Sequence, residues 1–111
     1  MITDKLLKEN NYSLLQVTVN FPADFQRHAD KMYQKLVKDG NTKRYFINAY
    51  FYDSELFPQY EFEIYGHLSN GVAVQTLFYG IHDLSLEQVE AMIEEYFINT
   101  HMLPYEEDPD A

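Results

Sequence analysis

Residues 45–80 read YFINAYFYDSELFPQYEFEIYGHLSNGVAVQTLFYG, and they hold eleven of the chain's eighteen Phe and Tyr residues. The segment divides into three strands that predict an antiparallel meander. In the middle one, Tyr60, Phe62, Ile64, Gly66 and Leu68 alternate with Glu61, Glu63, Tyr65 and His67, the period-2 pattern of a strand with one buried and one wetter face. Ser69-Asn70-Gly71 supplies the turn, and two registers compete. A two-residue type I′ turn at Asn70-Gly71 sets Glu63 opposite Phe78. A three-residue loop with Gly71 in the left-handed region sets Leu68 opposite Val72, Ile64 opposite Thr76 and Phe62 opposite Phe78. A slip of one residue moves every side chain to the other face. Only the three-residue loop keeps Glu61 and Glu63 away from Val72, Val74 and Phe78, so that register is expected.

Outward from the meander, Pro22–Asp39 reads as a helix. Pro22 suits its first turn, and Phe25, Ala29, Met32, Tyr33 and Leu36 recur on one helical face. Lys38 and Gly40 read as its stop signals. On the opposite face Arg27, Lys31, Lys35 and Lys38 line up within about 80°. Before it, TDKLLKEN (residues 3–10) predicts a short helical turn capped by Thr3, and Leu14–Asn20 a strand. After the meander, Ser85 and Gln88 make a capping box for a second helix. Leu86, Val89, Met92, Ile93, Tyr96 and Phe97 face its core, with Glu87, Glu90 and Glu94 as a stripe along the flank. Gly66 belongs to a strand, and Gly80 to a strand end. The expected order is β-α-β-β-β-α: an α+β fold, a two-layer α/β sandwich with two helices on one face of a mainly antiparallel sheet. Residues 1–103 form its single domain. Residues 104–111, with two prolines and four acids, read as a disordered acidic tail.

At 111 residues and 46% hydrophobic, the chain fits one core. It has no cysteine, hence neither a disulfide framework nor a thiolate metal site. No apolar run reaches the length of a signal peptide or membrane span, and a cytoplasmic protein is expected. The net charge of −10 argues against direct nucleic-acid binding. All eight basic residues lie in the first 44 positions, while residues 45–111 carry thirteen acidic residues and no Lys or Arg. Such asymmetry points to an electrostatic partner surface, or else to two halves that pair with each other inside the fold.

Catalytic signatures are lacking. His28, His67, His82 and His101 occur in no metal-ligand spacing, and no metal or cofactor is expected. His82-Asp83, just before a helix cap, reads as turn chemistry. Glu61 and Glu63 project from one strand face about 7 Å apart, an arrangement more common in a solubilised face than in a catalytic pair. No nucleophile elbow, phosphate loop or dinucleotide fingerprint is present, so no enzyme is expected. The α-β-β-β-α order from Pro22 onward resembles that of the double-stranded-RNA-binding domain, a family that docks on phosphates through a basic start to its last helix. The corresponding segment here, SLEQVEAMIEE from Ser85, has no basic residue.

The aromatics carry the functional expectation. With the helices on the Ile64 side, the opposite face presents Phe46, Tyr50, Tyr52, Tyr65 and Tyr79, with Glu61 and Glu63 among them. An open face of this kind exceeds the apolar patch usual for a monomer, and Tyr is enriched at interface hot spots. Together with the Glu87, Glu90 and Glu94 stripe, it predicts a small acidic, non-enzymatic binding protein. Such a protein would neutralise a larger basic one, such as a nuclease or nucleic-acid-handling factor, in the manner of an immunity protein, an anti-defence inhibitor or a nucleic-acid mimic. A structural homodimer that buries the same face is the alternative, and an enzyme with an unrecognised site a second one.

Overall fold

The computed structural model of the protein describes residues 2–15, 30–52, 59–71, 73–78 and 84–105. Along the chain these form α1 (Asp4–Glu9), β1 (Ser13–Leu15), β2 (Lys31–Asp39), β3 (Lys43–Tyr52), β4 (Gln59–His67), β5 (Ala73–Phe78) and α2 (Leu86–Asn99). The strands make one antiparallel sheet in the order β1-β2-β3-β4-β5. The α+β class therefore holds, with a sheet larger than the sequence suggested.

The expected helix over Pro22–Asp39 is overturned where it can be seen. Residues 31–39 are β2, paired along their whole length with β3 from Lys31↔Phe51 to Asp39↔Lys43. The expected element order and the double-stranded-RNA-binding resemblance, which rested on that helix, fall with it; residues 22–29 lie outside the described residues. Gly40 is not a helix stop. It sits at φ 60° in the three-residue loop 40–42 that joins β2 to β3, where glycine adopts the left-handed region without a Cβ clash. In a strand, alternation sends Tyr33, Lys35 and Val37 to one face and Met32, Gln34 and Leu36 to the other, so both faces carry apolar residues.

The meander holds. β4 and β5 pair as Phe62↔Phe78, Ile64↔Thr76 and Gly66↔Val74. Leu68 O accepts from Gly71 N–H at 2.9 Å, and Gly71 stands at φ 81°, so the three-residue loop is the one formed. Of the expected strand 14–20, Leu14 and Leu15 belong to β1, and 16–20 lie outside the described residues.

One face of the sheet builds the core. Tyr33, Tyr45, Ile47, Ala49, Phe62 and Ile64 pack with Leu7 of α1, with Leu86, Val89, Ile93 and Phe97 of α2, and with Tyr12 and Met102. Each large apolar side chain removed from water there contributes about 1.5–3 kcal/mol. Met92, expected in the core, is instead 41% exposed. At six residues, α1 depends on this packing.

Both helices end the same way. Tyr12 N–H bonds Leu7 O and Asn11 N–H bonds Lys8 O; Met102 N–H bonds Phe97 O and His101 N–H bonds Ile98 O. These are paired Schellman bonds. In each, the left-handed position is held by a residue other than glycine, Asn11 at φ 70° and His101 at φ 53°, and the next residue, Tyr12 or Met102, is buried. At the N-termini, Thr3 accepts from Leu6 N–H, and Ser85 with Gln88 completes the capping box, as the sequence predicts.

Candidate interaction surface

The face opposite the core carries the expected aromatic and acidic residues. Register sets Phe46 opposite Tyr65, Asn48 opposite Glu63, Tyr50 opposite Glu61 and Tyr52 opposite Gln59. Alternation therefore places Phe46, Tyr50, Tyr52, Glu61, Glu63 and Tyr65 together, away from the core. Tyr79 lies outside the described residues.

This face is not open at its centre, as had been expected. Tyr50 is 1% and Glu63 2% exposed, so neither is available as a partner contact. They belong to a polar network across three strands. Glu63 Oε1 accepts from Asn48 Nδ2 at 2.9 Å and from Tyr50 Oη at 3.0 Å, and Asn48 Oδ1 accepts from Gln34 Nε2 at 3.0 Å. A buried carboxylate needs such donors, because unsatisfied burial costs several kcal/mol. Phe46, Tyr52, Glu61 and Tyr65 remain half-buried.

At one end of this face the chain's last described residues come through the sheet. The β3–β4 ladder stops at Phe46↔Tyr65 although both strands continue. In the gap, Leu103 N–H bonds His67 O and Tyr105 N–H bonds Arg44 O, each at 2.7 Å. Met102 lies on the core side against Gly66, where a Cβ would stand 2.6 Å from Met102 Cε. Tyr105 lies on the far side, its ring 5.1 Å from those of both Phe46 and His67. With Tyr65 these make a quartet of rings. The folded body therefore includes Pro104 and Tyr105; residues 106–111 lie outside the described residues.

The acidic stripe of α2 divides. Glu90 takes Lys35 Nζ on both oxygens, at 2.8 and 3.0 Å, and Tyr12 Oη at 3.2 Å. Lys35 also lies 5.3 Å from the centre of the Tyr12 ring. Glu94 pairs with Lys43. The expectation that Glu87, Glu90 and Glu94 form one stripe on the partner surface is thus corrected for Glu90 and Glu94, which pair inside the fold. With 31–39 a strand, Lys35 points toward α2 and meets a helix 55 residues further on. Lys31 stands instead over the Phe51 ring, 5.9 Å from its centre, and Arg27 lies outside the described residues. Glu87 is exposed, as is Glu95.

These contacts shift several ionisations. The Glu94 carboxylate bonded to Lys43 raises the lysine's pKa. Burial, followed by the nearby Glu94 and Glu90 charges, pushes the Tyr45 hydroxyl up to about 12. Burial first, then Glu90, raises Tyr12. Burial first, then the bond to Asp4, raises Tyr33, and that same bond lowers Asp4. Tyr12, Lys43 and the Asp4–Tyr33 pair were not singled out from the sequence, where none has a local signature.

Around α2 a different surface emerges. Glu87, Ala91, Met92, Glu95 and Ile98 all face solvent, Ile98 at 57% exposure, and the last turn has no basic residue. The four glutamates of α2 occur without a single Lys or Arg on the helix. Among the described residues, no group of three His, Asp or Glu side chains is placed to hold a metal ion, and no helix is long and apolar enough to cross a membrane. Comparison with known proteins finds no matching family model, no matching curated protein and no matching solved structure.

Proposed function

We propose that the protein is a small acidic, non-enzymatic binding protein of the cytoplasm that occupies the basic surface of a larger protein, such as a nuclease or nucleic-acid-handling factor, and neutralises it. The reading takes the molecule as a two-layer α/β sandwich whose helix layer is the docking side. One observation carries it: the outer face of α2 displays Glu87 and Glu95 beside Met92 and Ile98, with no cation on the helix. Lys35 and Lys43 pair with Glu90 and Glu94, which leaves Glu87 and Glu95 as the carboxylates that α2 shows to solvent. Exposed carboxylates of this kind steer encounter with a basic surface, and apolar neighbours slow dissociation. The half-buried Phe46, Tyr52, Glu61 and Tyr65 remain a secondary contact face.

The test is affinity capture from the source cell on immobilised protein, run beside a Glu87→Lys/Glu95→Lys variant of unchanged melting temperature. A basic partner retained by the native chain, lost from the variant and eluted by raised salt is the expected result. Retention of nothing, or of a partner indifferent to both salt and variant, overturns the reading.

A further inference from the structure

We propose that the notch between β3 and β4 is a strand-acceptor site, and that the segment 102–105 of a second copy of this chain can occupy it in exchange for the chain's own. This goes beyond the binding of a basic partner and does not depend on it.

The notch is defined by where pairing stops. Continued in register, β3 and β4 would set Arg44 opposite His67, but their ladder ends at Phe46↔Tyr65. The backbone groups so released are the kind that recruit another strand. Here they recruit the C-terminal segment: His67 O accepts from Leu103 N–H and Arg44 O from Tyr105 N–H, with Leu103 the antiparallel bridge partner of His67. Side chains complete the fit on both faces. Gly66 leaves the space that Met102 fills, and Phe46 and His67 receive the Tyr105 ring.

Each of these contacts lies between the segment and the notch, so an identical segment from another copy reproduces all of them. What ties the segment to its own notch is the connection at 100–101, with the bonds of His101 N–H to Ile98 O and Met102 N–H to Phe97 O. There His101 adopts φ 53°, a left-handed conformation that a side chain disfavours. Opening that connection releases the strain, while the monomer keeps the advantage of a tethered segment, whose effective concentration is in the millimolar range. Exchange of an identical element between chains is a low-cost route to a two-fold dimer, and here it is favoured at high protein concentration.

The chain has no cysteine, so introduced thiols report pairing without ambiguity. Two full-length chains, one His67→Cys and the other Leu103→Cys, are mixed at about 1 mM, warmed, cooled and oxidised. Directly opposed antiparallel residues lie within disulfide reach. The expected product is a disulfide-linked dimer of one chain of each kind, several-fold above that from His67→Cys mixed with Lys5→Cys, and reduced several-fold when His101→Gly is present in both chains. A single chain with both substitutions should close internally and remain a monomer. If it closes internally while the mixture gives no more cross-link than the Lys5→Cys control, exchange does not occur and the proposal fails. If it does not close internally, the segment is not in the notch and the proposal fails at its premise.

Discussion

Glu63 and Tyr50 illustrate how a residue that looks like a contact becomes a support. On sequence, an acid and a tyrosine on the face opposite the helices read as partner anchors; in the fold they are buried and bonded to each other. Tyr50→Ala is therefore expected to cost about 3–5 kcal/mol of stability, as for other buried aromatic rings. Tyr50→Phe should cost about 1.5–3 kcal/mol by removing one donor from a buried carboxylate. Urea unfolding curves on the two variants check both, and a Tyr50→Ala melt equal to the native one would return the residue to the surface. Asp4 offers a pH test at the same scale. Its pKa is lowered, first by the hydrogen bond from Tyr33 and then by Lys8. A depressed folded pKa adds stability above the unfolded value, near 3.8, which is lost as pH falls through the folded one. The melting temperature should drop below pH 4, and Asp4→Asn should flatten that drop.

Among the elements, the β4–β5 hairpin gives the sharpest prediction. Gly71 has open space where a Cβ would go but stands at φ 81°, so Gly71→Val should destabilise by roughly 1–2 kcal/mol through backbone strain alone. A thermal melt unchanged by the substitution would contradict it. This hairpin was legible because Glu61 and Glu63 mark one face and Phe62 and Ile64 the other. β2 was not. Lys35 lies on its inner face, and what makes that tolerable is Glu90, 55 residues away, which no local pattern displays. Lys31, Lys35 and Lys38 then mimic a helical stripe, and Asp39-Gly40, a hairpin signal, mimics a helix end. The site was legible to the same depth. Alternation grouped Phe46, Tyr50, Glu61, Glu63 and Tyr65 on one face, but the burial of Tyr50 and Glu63 at its centre leaves no trace in spacing.

For the molecule as a whole, the tyrosines set the alkaline limit. Tyr12, Tyr33, Tyr45 and Tyr60 all have raised pKa values, with burial the first cause in each. A raised folded pKa means that the stability is fully present below the unfolded value, 10.0 for tyrosine, and is lost as pH rises toward the folded one. Lys43, raised by Glu94, acts in the same direction. Unfolding should therefore set in above pH 10, with tyrosinate absorbance and loss of the far-ultraviolet signal rising together. Absorbance that rises fully at pH 10 before any loss of structure would show these rings to be exposed. Among the described strands, each pairs with the next in sequence, which keeps the loops to be closed shorter than a crossover topology would.

Among the described strand contacts, the segment that plugs the β3–β4 gap departs from that local order, and it has a consequence for how the protein is made. β4 ends at His67, whereas Leu103 and Tyr105 follow it only after α2. At about 5–20 residues per second, the ribosome delivers the plug roughly 2–7 s after the gap it fills. During that interval the nascent sheet carries an unfilled seam, which closes only after α2 and the segment that follows it have been translated. A stop codon at position 102 would leave every described strand and both helices in place, yet the seam would never close.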